Sequence, residues 1–477
     1  VNDFEEGIAI MKTIGPAHFA AAVLNRTLLV IAILMLASSP SLAHASQQHS
    51  SVALSEVGHA PASQPATAPL QAAPGFDPQT RLGFTTGDQW EPAIAADHFG
   101  HVYILYPQYL GVPGCSECFS PTMILQTSSD RGATWAAPRV IHRDGATTGQ
   151  YDAQIAVDPI DGRTVYAAWL QNGKSDTVVA RSTDFGETWS VVVADSTGAG
   201  TDKPILAVRG QDVYVGYNHA QKIWVSVSHD GGTTFTSVNA NRTHSGKLGW
   251  SLAGGGTVDP AGHVYFGWAG YERNGGAKGP VNLYISKSSD GGATWQTLLI
   301  DISSSPPDCS EFLCGWAYLG AQITMASDMD GALYVLWNAG RVDKGPERIF
   351  FARSTDAGET WSSPLDVSAA PGGVNHAFPA IAAGGAGDVR IAWMDDRAGG
   401  LWNTYYRSST NGGATWSAEI DLSTFVEGFS YIFQDGFGFP FGDYFELDID
   451  DRGTTHAVWG EGLNYDSPGS IWYTMGR

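Results

Sequence analysis

Six stretches of the chain repeat one eight-residue pattern, Ser-x-Asp-x-Gly-x-Thr-Trp, and repetition at that fidelity restricts the fold to an array of similar units. The copies occupy residues 128–135, 182–189, 228–235, 288–295, 354–361 and 409–416; Phe235 replaces Trp in the third and Asn411 replaces Asp in the sixth. The acid or amide in each can accept hydrogen bonds from backbone N–H groups ahead of it and cap a turn. The Gly takes backbone angles closed to other residues, and the final aromatic is left to pack on a sheet. Nothing in the motif requires a ligand.

A second periodicity sets the number of units. An apolar run, a turn acid and a strand ending in an aromatic recur at residues 92–106, 153–169, 204–217, 254–268, 323–337, 379–393 and 445–459. Period-2 alternation with β-branched and aromatic enrichment makes each a pair of adjacent strands. The first six pairs are each followed by a third strand, one of the repeated turns and a fourth strand, whereas the seventh is followed only by residues 470–475. This is the pattern of an all-β propeller with seven four-stranded blades, or of six blades plus an irregular sheet. Ring closure then needs an outer strand for the last blade from residues near 81–86, which removes the open sheet edges. The turn acids Asp97, Asp158, Asp259, Asp328 and Asp450 repeat with the strands and read as structural.

Composition agrees with short strands and tight turns: the chain has 58 Gly, 18 Tyr and 16 Trp, and 16% charged residues. Residues 1–45 read as a signal peptide, with Lys12 and Arg26 before the apolar run 28–36 and a small-residue site at Ala43-His44-Ala45. Residues 46–80, rich in Ala, Pro and Ser, read as a disordered linker, and 81–477 as the propeller. The expected protein is therefore exported, periplasmic or extracellular, and monomeric, without a stable membrane span after cleavage. A formal charge of −22 with no basic block argues against nucleic acid as a partner.

The repeated turns resemble the Asp-box, or bacterial neuraminidase repeat, and the chain from about residue 86 is similar to the sialidase-like propeller superfamily. The resemblance implies that the Asp-box turns lie on the face away from the functional site. It also implies a carbohydrate partner. A sialidase would hold its substrate's carboxylate with three arginines, but Asp88, Trp90 and Glu91 stand where the first-strand Arg is expected.

On the face opposite the Asp boxes, connections entering the inner strands offer Trp90, Glu91, Tyr151, Asp152, Asp202, Lys203, Trp250, Trp316, His376, Asp443, Tyr444 and Glu446. Aromatic faces and paired carboxylates are what sugars require. Candidate catalytic groups are Asp152, Glu446, Asp443, Tyr151, Tyr444 and His376. Candidate substrate-binding groups are Trp90, Glu91, Lys203, Trp250, Arg273, Trp316, Arg341 and Arg397, with the cations suited to a carboxylated or sulfated sugar. Two acids would give hydrolysis, and a Tyr/His pair would give elimination next to a uronate. Glu446 has the alternatives of pointing into the central channel or pairing with Lys203, His376 of packing or capping, and Arg397 of pairing with Asp395 or Asp396. A binding or scaffolding module without catalysis is the third reading. No cofactor is required, although Glu91, Asp152, Asp202 and Asp443 could meet a calcium ion. In an exported protein Cys115 with Cys118, and Cys309 with Cys314, close small disulfide staples.

Overall fold

The computed structural model describes residues 72–196, 198–241, 250–273, 278–307, 320–399, 401–423, 442–462 and 469–477, with only the backbone of Trp250, Glu272, Arg273, Lys278, Leu401 and Gly462. Residues Thr67–Arg477 belong to one compact unit. Seven antiparallel sheets follow one another along it. Their inner strands are Ala93–Ala96, Tyr151–Val157, Asp202–Arg209, Trp250–Val258, Ile323–Ser327, His376–Ala383 and Glu446–Ile449, numbered below as blades one to seven. Each inner strand touches the next, and that of blade seven touches that of blade one. The result is a closed seven-bladed β-propeller.

Closure uses both ends of the described chain. Thr80–Leu82 pairs antiparallel with Gly469–Gly476, with Thr80 opposite Tyr473 and Leu82 opposite Ile471, so the outer strand of blade seven comes from the start of the propeller. The packed chain begins before residue 80: Phe76 bridges Gly476, and Ala73 and Phe76 are buried with Trp459 and Trp472. Sequence composition hid this, because the ordering groups are two apolar residues inside an Ala/Pro-rich stretch.

The core fills the seams between blades. Trp169, Trp268, Trp337, Trp393 and Trp459, all on second strands, are fully buried. Blade four meets blade five through the first two of three consecutive glycines, and the third makes room for Phe266 of blade four itself. A Cβ at Gly254 would lie 2.1 Å from the Ile323 carbonyl oxygen, at Gly255 2.6 Å from the Met325 nitrogen and at Gly256 2.5 Å from the Phe266 ring. Two inner strands approach here more closely than side chains allow.

The Asp boxes behave as their sequence implies. In the first, Ser128 Oγ accepts from Gly132 N at 2.8 Å and donates to Asp130, whose carboxylate accepts from Thr134 N and Thr134 Oγ1. A Cβ on Gly132 would lie 1.9 Å from the Tyr473 hydroxyl of blade seven, so this Gly provides both its φ of +85° and a close inter-blade fit. Trp295 Nε1 donates to the Gly292 carbonyl at 2.9 Å, fixing the aromatic over its own turn. The acids between the first two strands are also structural. Asp97, Asp259 and Asp328 accept from the backbone of their own turns and from Tyr103, Tyr265 and Tyr334 on the second strands.

Hydrogen bonds from the Thr side chain and backbone hold Asp184, Asp290 and Asp356 down to about 2. A depressed folded-state pKa contributes stability above the unfolded value of about 3.9, and this is lost as pH falls through the folded value. The thermal midpoint should therefore drop as pH is lowered from about 4 to about 2. Replacing all three by Asn should flatten that segment of the curve while preserving the turn, as Asn411 does by accepting from Thr415 N at 2.9 Å. An unchanged pH profile in the triple variant would refute the assignment.

Candidate functional site

The entrances to the inner strands of blades one, two, three and six share an unusual residue. Glu91, Asp152, Lys203 and Phe378 have φ values of 55°, 58°, 51° and 54°. The ladder shifts register at each point: between Tyr151 and Gln154, Asp202 and Ile205, Ala377 and Ala380, and in blade one between Gln89 and Ala93. A non-glycine residue held in this region costs on the order of 1–3 kcal/mol, and such strain persists only where surrounding structure imposes it. The bulge turns one side chain out of the alternation, and in blades one to three that side chain is charged.

Those three charges converge. Lys203 Nζ ion-pairs with Asp443 and lies 3.9 Å from Glu91 Oε1 and 3.8 Å from Asp152 Oδ1. It also sits 4.8 Å above the Tyr444 ring. Asp443 N donates to Glu91 Oε1 at 3.2 Å. A second ammonium, Lys174, lies 2.7 Å from Asp202 Oδ1, 3.4 Å from Asp152 Oδ2 and 5.3 Å from the centre of the Tyr151 ring. Asp152, Lys203, Asp443 and Tyr444 border an axial cavity of about 720 Å³, whose deeper wall is mainly Ala, Gly, Ile and Val from all seven inner strands.

Burial sets the protonation pattern. Glu91, 2% exposed, is raised well above the usual carboxylate range by burial and then by Asp443, against the opposing pull of Lys203. Asp152 is raised by burial, with Lys174 opposing. Burial pushes Asp202 the same way, but Lys174 and Lys203 outweigh it and its pKa is lowered. Burial alone would favour the neutral amines, yet the surrounding carboxylates raise both lysines. Tyr444 is raised well above its ordinary value by burial and by Glu91, Asp152, Asp443 and Glu446, so it holds its proton.

Other sequence candidates fall elsewhere. Glu446 does not pair with Lys203. Its carboxyl accepts from Ile94 N at 3.0 Å and Gln154 Nε2 at 2.7 Å, deeper in the channel, and burial raises it to about 8. Trp90 is 1% exposed and stacks on Tyr109 at 4.3 Å, one residue before the bulge at Glu91. His376 is fully buried between Ser368 Oγ and the Glu347 carbonyl, with burial lowering its pKa, and takes a packing role. Arg341 clamps Asp301 with both terminal nitrogens, and Arg397 pairs with Asp395 and Glu419. Trp316, Cys309 and Cys314 lie outside the described residues, as do the side chains of Trp250 and Arg273. Cys115 and Cys118 are disulfide-bonded.

The four acids once considered for calcium surround ammonium groups instead. Among the described residues, no set of three or more His, Cys, Asp or Glu side chains is disposed to hold a metal. Sequence reasoning missed Lys174, whose only signal is its place in an Asn-Gly-Lys hairpin turn.

Residues 86–300 match the BNR repeat-like domain. No curated protein matches the chain. Among solved structures, a Hadza microbial sialidase is similar at 15% identity, covering 82% of this chain and 66% of its own, with a TM-score of 0.44. An ulvan lyase of a polysaccharide lyase family has 12% identity, coverage of 82% and 95%, and a TM-score of 0.48. A protein of unknown function from Dyadobacter fermentans has 14%, coverage of 84% and 99%, and a TM-score of 0.47. No activity is carried over from them. No helix among the described residues is long and apolar enough to cross a membrane.

Removing the central ammonium tests the cluster. Lys203→Met should cost about 3–5 kcal/mol at pH 7, because it leaves buried carboxylates uncompensated. The deficit should shrink towards pH 4, because burial raises Glu91 and Asp152 and they take up protons as pH falls. Denaturant unfolding of both proteins at the two pH values measures it, and an equal deficit at both would contradict the electrostatic account.

Proposed function

We propose that this Asp-box propeller of the sialidase-like superfamily is an exported carbohydrate-binding protein that hydrolyses its ligand at the axial mouth. The observation that carries the reading is the unlike pair Glu91 and Asp443. One carboxyl is buried and biased to keep its proton, and the other is ion-paired with Lys203 and contacts the first through its backbone N–H. A buried carboxyl that keeps its proton beside an ion-paired one supplies a general acid and a base or nucleophile, as glycosidic bond hydrolysis requires. Glu91 would protonate the leaving oxygen and Asp443 would serve the opposite role. Tyr444 borders the cavity as a face against which a sugar ring can lie.

Two rival readings lose support on specific grounds. Elimination needs a base drawn from Tyr151, Tyr444 or His376, but burial biases both tyrosines to hold their protons and His376 is fully buried. A passive scaffold would balance each acid with a basic neighbour. Here each of Glu91, Asp152, Asp202 and Asp443 has a lysine within 3.9 Å, but the four share two ammonium groups and Glu91 is biased to keep its proton.

The test is a screen of sialylated, uronic-acid and neutral glycans, reading new reducing ends and unsaturated products. Hydrolysis should release reducing ends and slow as pH rises through the raised Glu91 pKa. Glu91→Gln should lower kcat by about 10²–10⁴ while binding persists. No turnover of any glycan, or turnover untouched by that substitution, would sink the catalytic reading; unsaturated products would move it to elimination.

A further inference from the structure

Cys115 and Cys118 lie in the connection between strands Val102–Tyr109 and Thr122–Ser128 of blade one and are bonded to each other across a sequence separation of 3. A bond across so short a loop removes little freedom from the unfolded chain. The loop also has other fastenings. Val112 is buried and its carbonyl accepts from Cys115 N at 3.0 Å, Gln108 Nε2 donates to the Gly111 carbonyl at 3.0 Å, and Leu110 N donates to Ser120 Oγ at 3.0 Å. The surroundings of the two sulfurs suit exchange better than stapling. Both cysteines are partly exposed, and Pro113, Gly114, Ser116 and Glu117 around them are exposed, so a thiolate can approach. One cation stands at one sulfur: Arg143 Nη1 donates to Cys115 Sγ at 3.8 Å and to Glu117 Oε1 at 2.6 Å. A guanidinium beside a sulfur stabilises the thiolate formed there, and the more stable thiolate leaves faster.

We infer that Cys115 and Cys118 form a thiol–disulfide exchange site that takes a dithiol reductant. One thiolate of the dithiol attacks Cys118 Sγ, the bond between the cysteines breaks, and Cys115 leaves as a thiolate beside Arg143. The second thiolate of the dithiol then attacks its own sulfur in the mixed disulfide and releases Cys118. The dithiol ends oxidised to a disulfide. The two cysteines end as thiols, having gained the two electrons and the two protons that the dithiol lost. This site is independent of carbohydrate recognition at the mouth, and either can fail without the other.

The test treats the folded full chain with dithiothreitol, quenches with acid and alkylates the thiols that have formed. Mass spectrometry of the peptide holding Cys115 and Cys118 then follows this pair separately from Cys309 and Cys314. The pair should open without denaturant, and brief treatment with glutathione should leave its adduct on Cys118, a measurement needing only the unaltered protein. Arg143→Met should slow reduction about threefold or more, and Glu117→Gln, which leaves the guanidinium to the sulfur, should speed it by a similar factor. Opposite shifts separate the charge effect from a loosened loop, which would speed reduction in both variants. Reduction only under unfolding conditions, an adduct on Cys115, or variants that shift together or not at all would overturn the inference.

Discussion

Everything in this molecule depends on closing seven separate sheets into a ring, which requires blade seven to be completed and joined to blade one. The pairing of Thr80–Leu82 with Gly469–Gly476 completes blade seven by recruiting the start of the propeller as its outer strand. The inner seam between blades seven and one is joined differently. Glu446 and Asp448, two residues apart on one strand, accept the N–H groups of Ile94 and Ala96. Carboxyls thus satisfy backbone donors that would otherwise face the channel unpaired, which explains why acids persist in a wall that is elsewhere apolar.

Closure also makes a functional mouth possible. Once the inner strands stand in a ring, any device that turns a side chain towards the axis concentrates chemistry from blades distant in sequence. The left-handed bulge does this at Glu91, Asp152 and Lys203, and the last connection adds Asp443. In blade six the same device presents Phe378, buried with Ala377 and Trp402, so the geometry is common to several blades while the chemistry is local to three of them.

The fold was legible because it is written in repeats. Each Asp box encodes its own turn, and the second-strand aromatics mark each blade without reference to any other. The mouth was legible only in part. Glu91, Asp152, Lys203, Asp443 and Tyr444 could be named from their positions before inner strands, and they do converge. Trp90 and His376 occupy comparable positions and are buried, because a one-residue bulge decides which neighbour faces the axis and no residue type announces it. The Glu-Pro, Lys-Pro and Phe-Pro dipeptides at 91, 203 and 378 are the nearest thing to a signal. Arg397 pairs with Asp395, an alternative its sequence position allowed, whereas Asp301 and Glu419, the further partners of Arg341 and Arg397, lie outside the strand entrances and exits from which the mouth was read.

The three glycines at 254–256 limit how far the blades can be treated as interchangeable. A sequence assembled by averaging the seven units would write Pro, Ala and Ile into these positions, the residues that recur at the corresponding places in the other blades. Each added methyl would meet the backbone of blade five or the ring of Phe266. Such a consensus protein would reproduce every turn correctly and still be forced apart at one joint, so the native circle is a set of fitted pieces, one of them cut to a shape its siblings cannot replace.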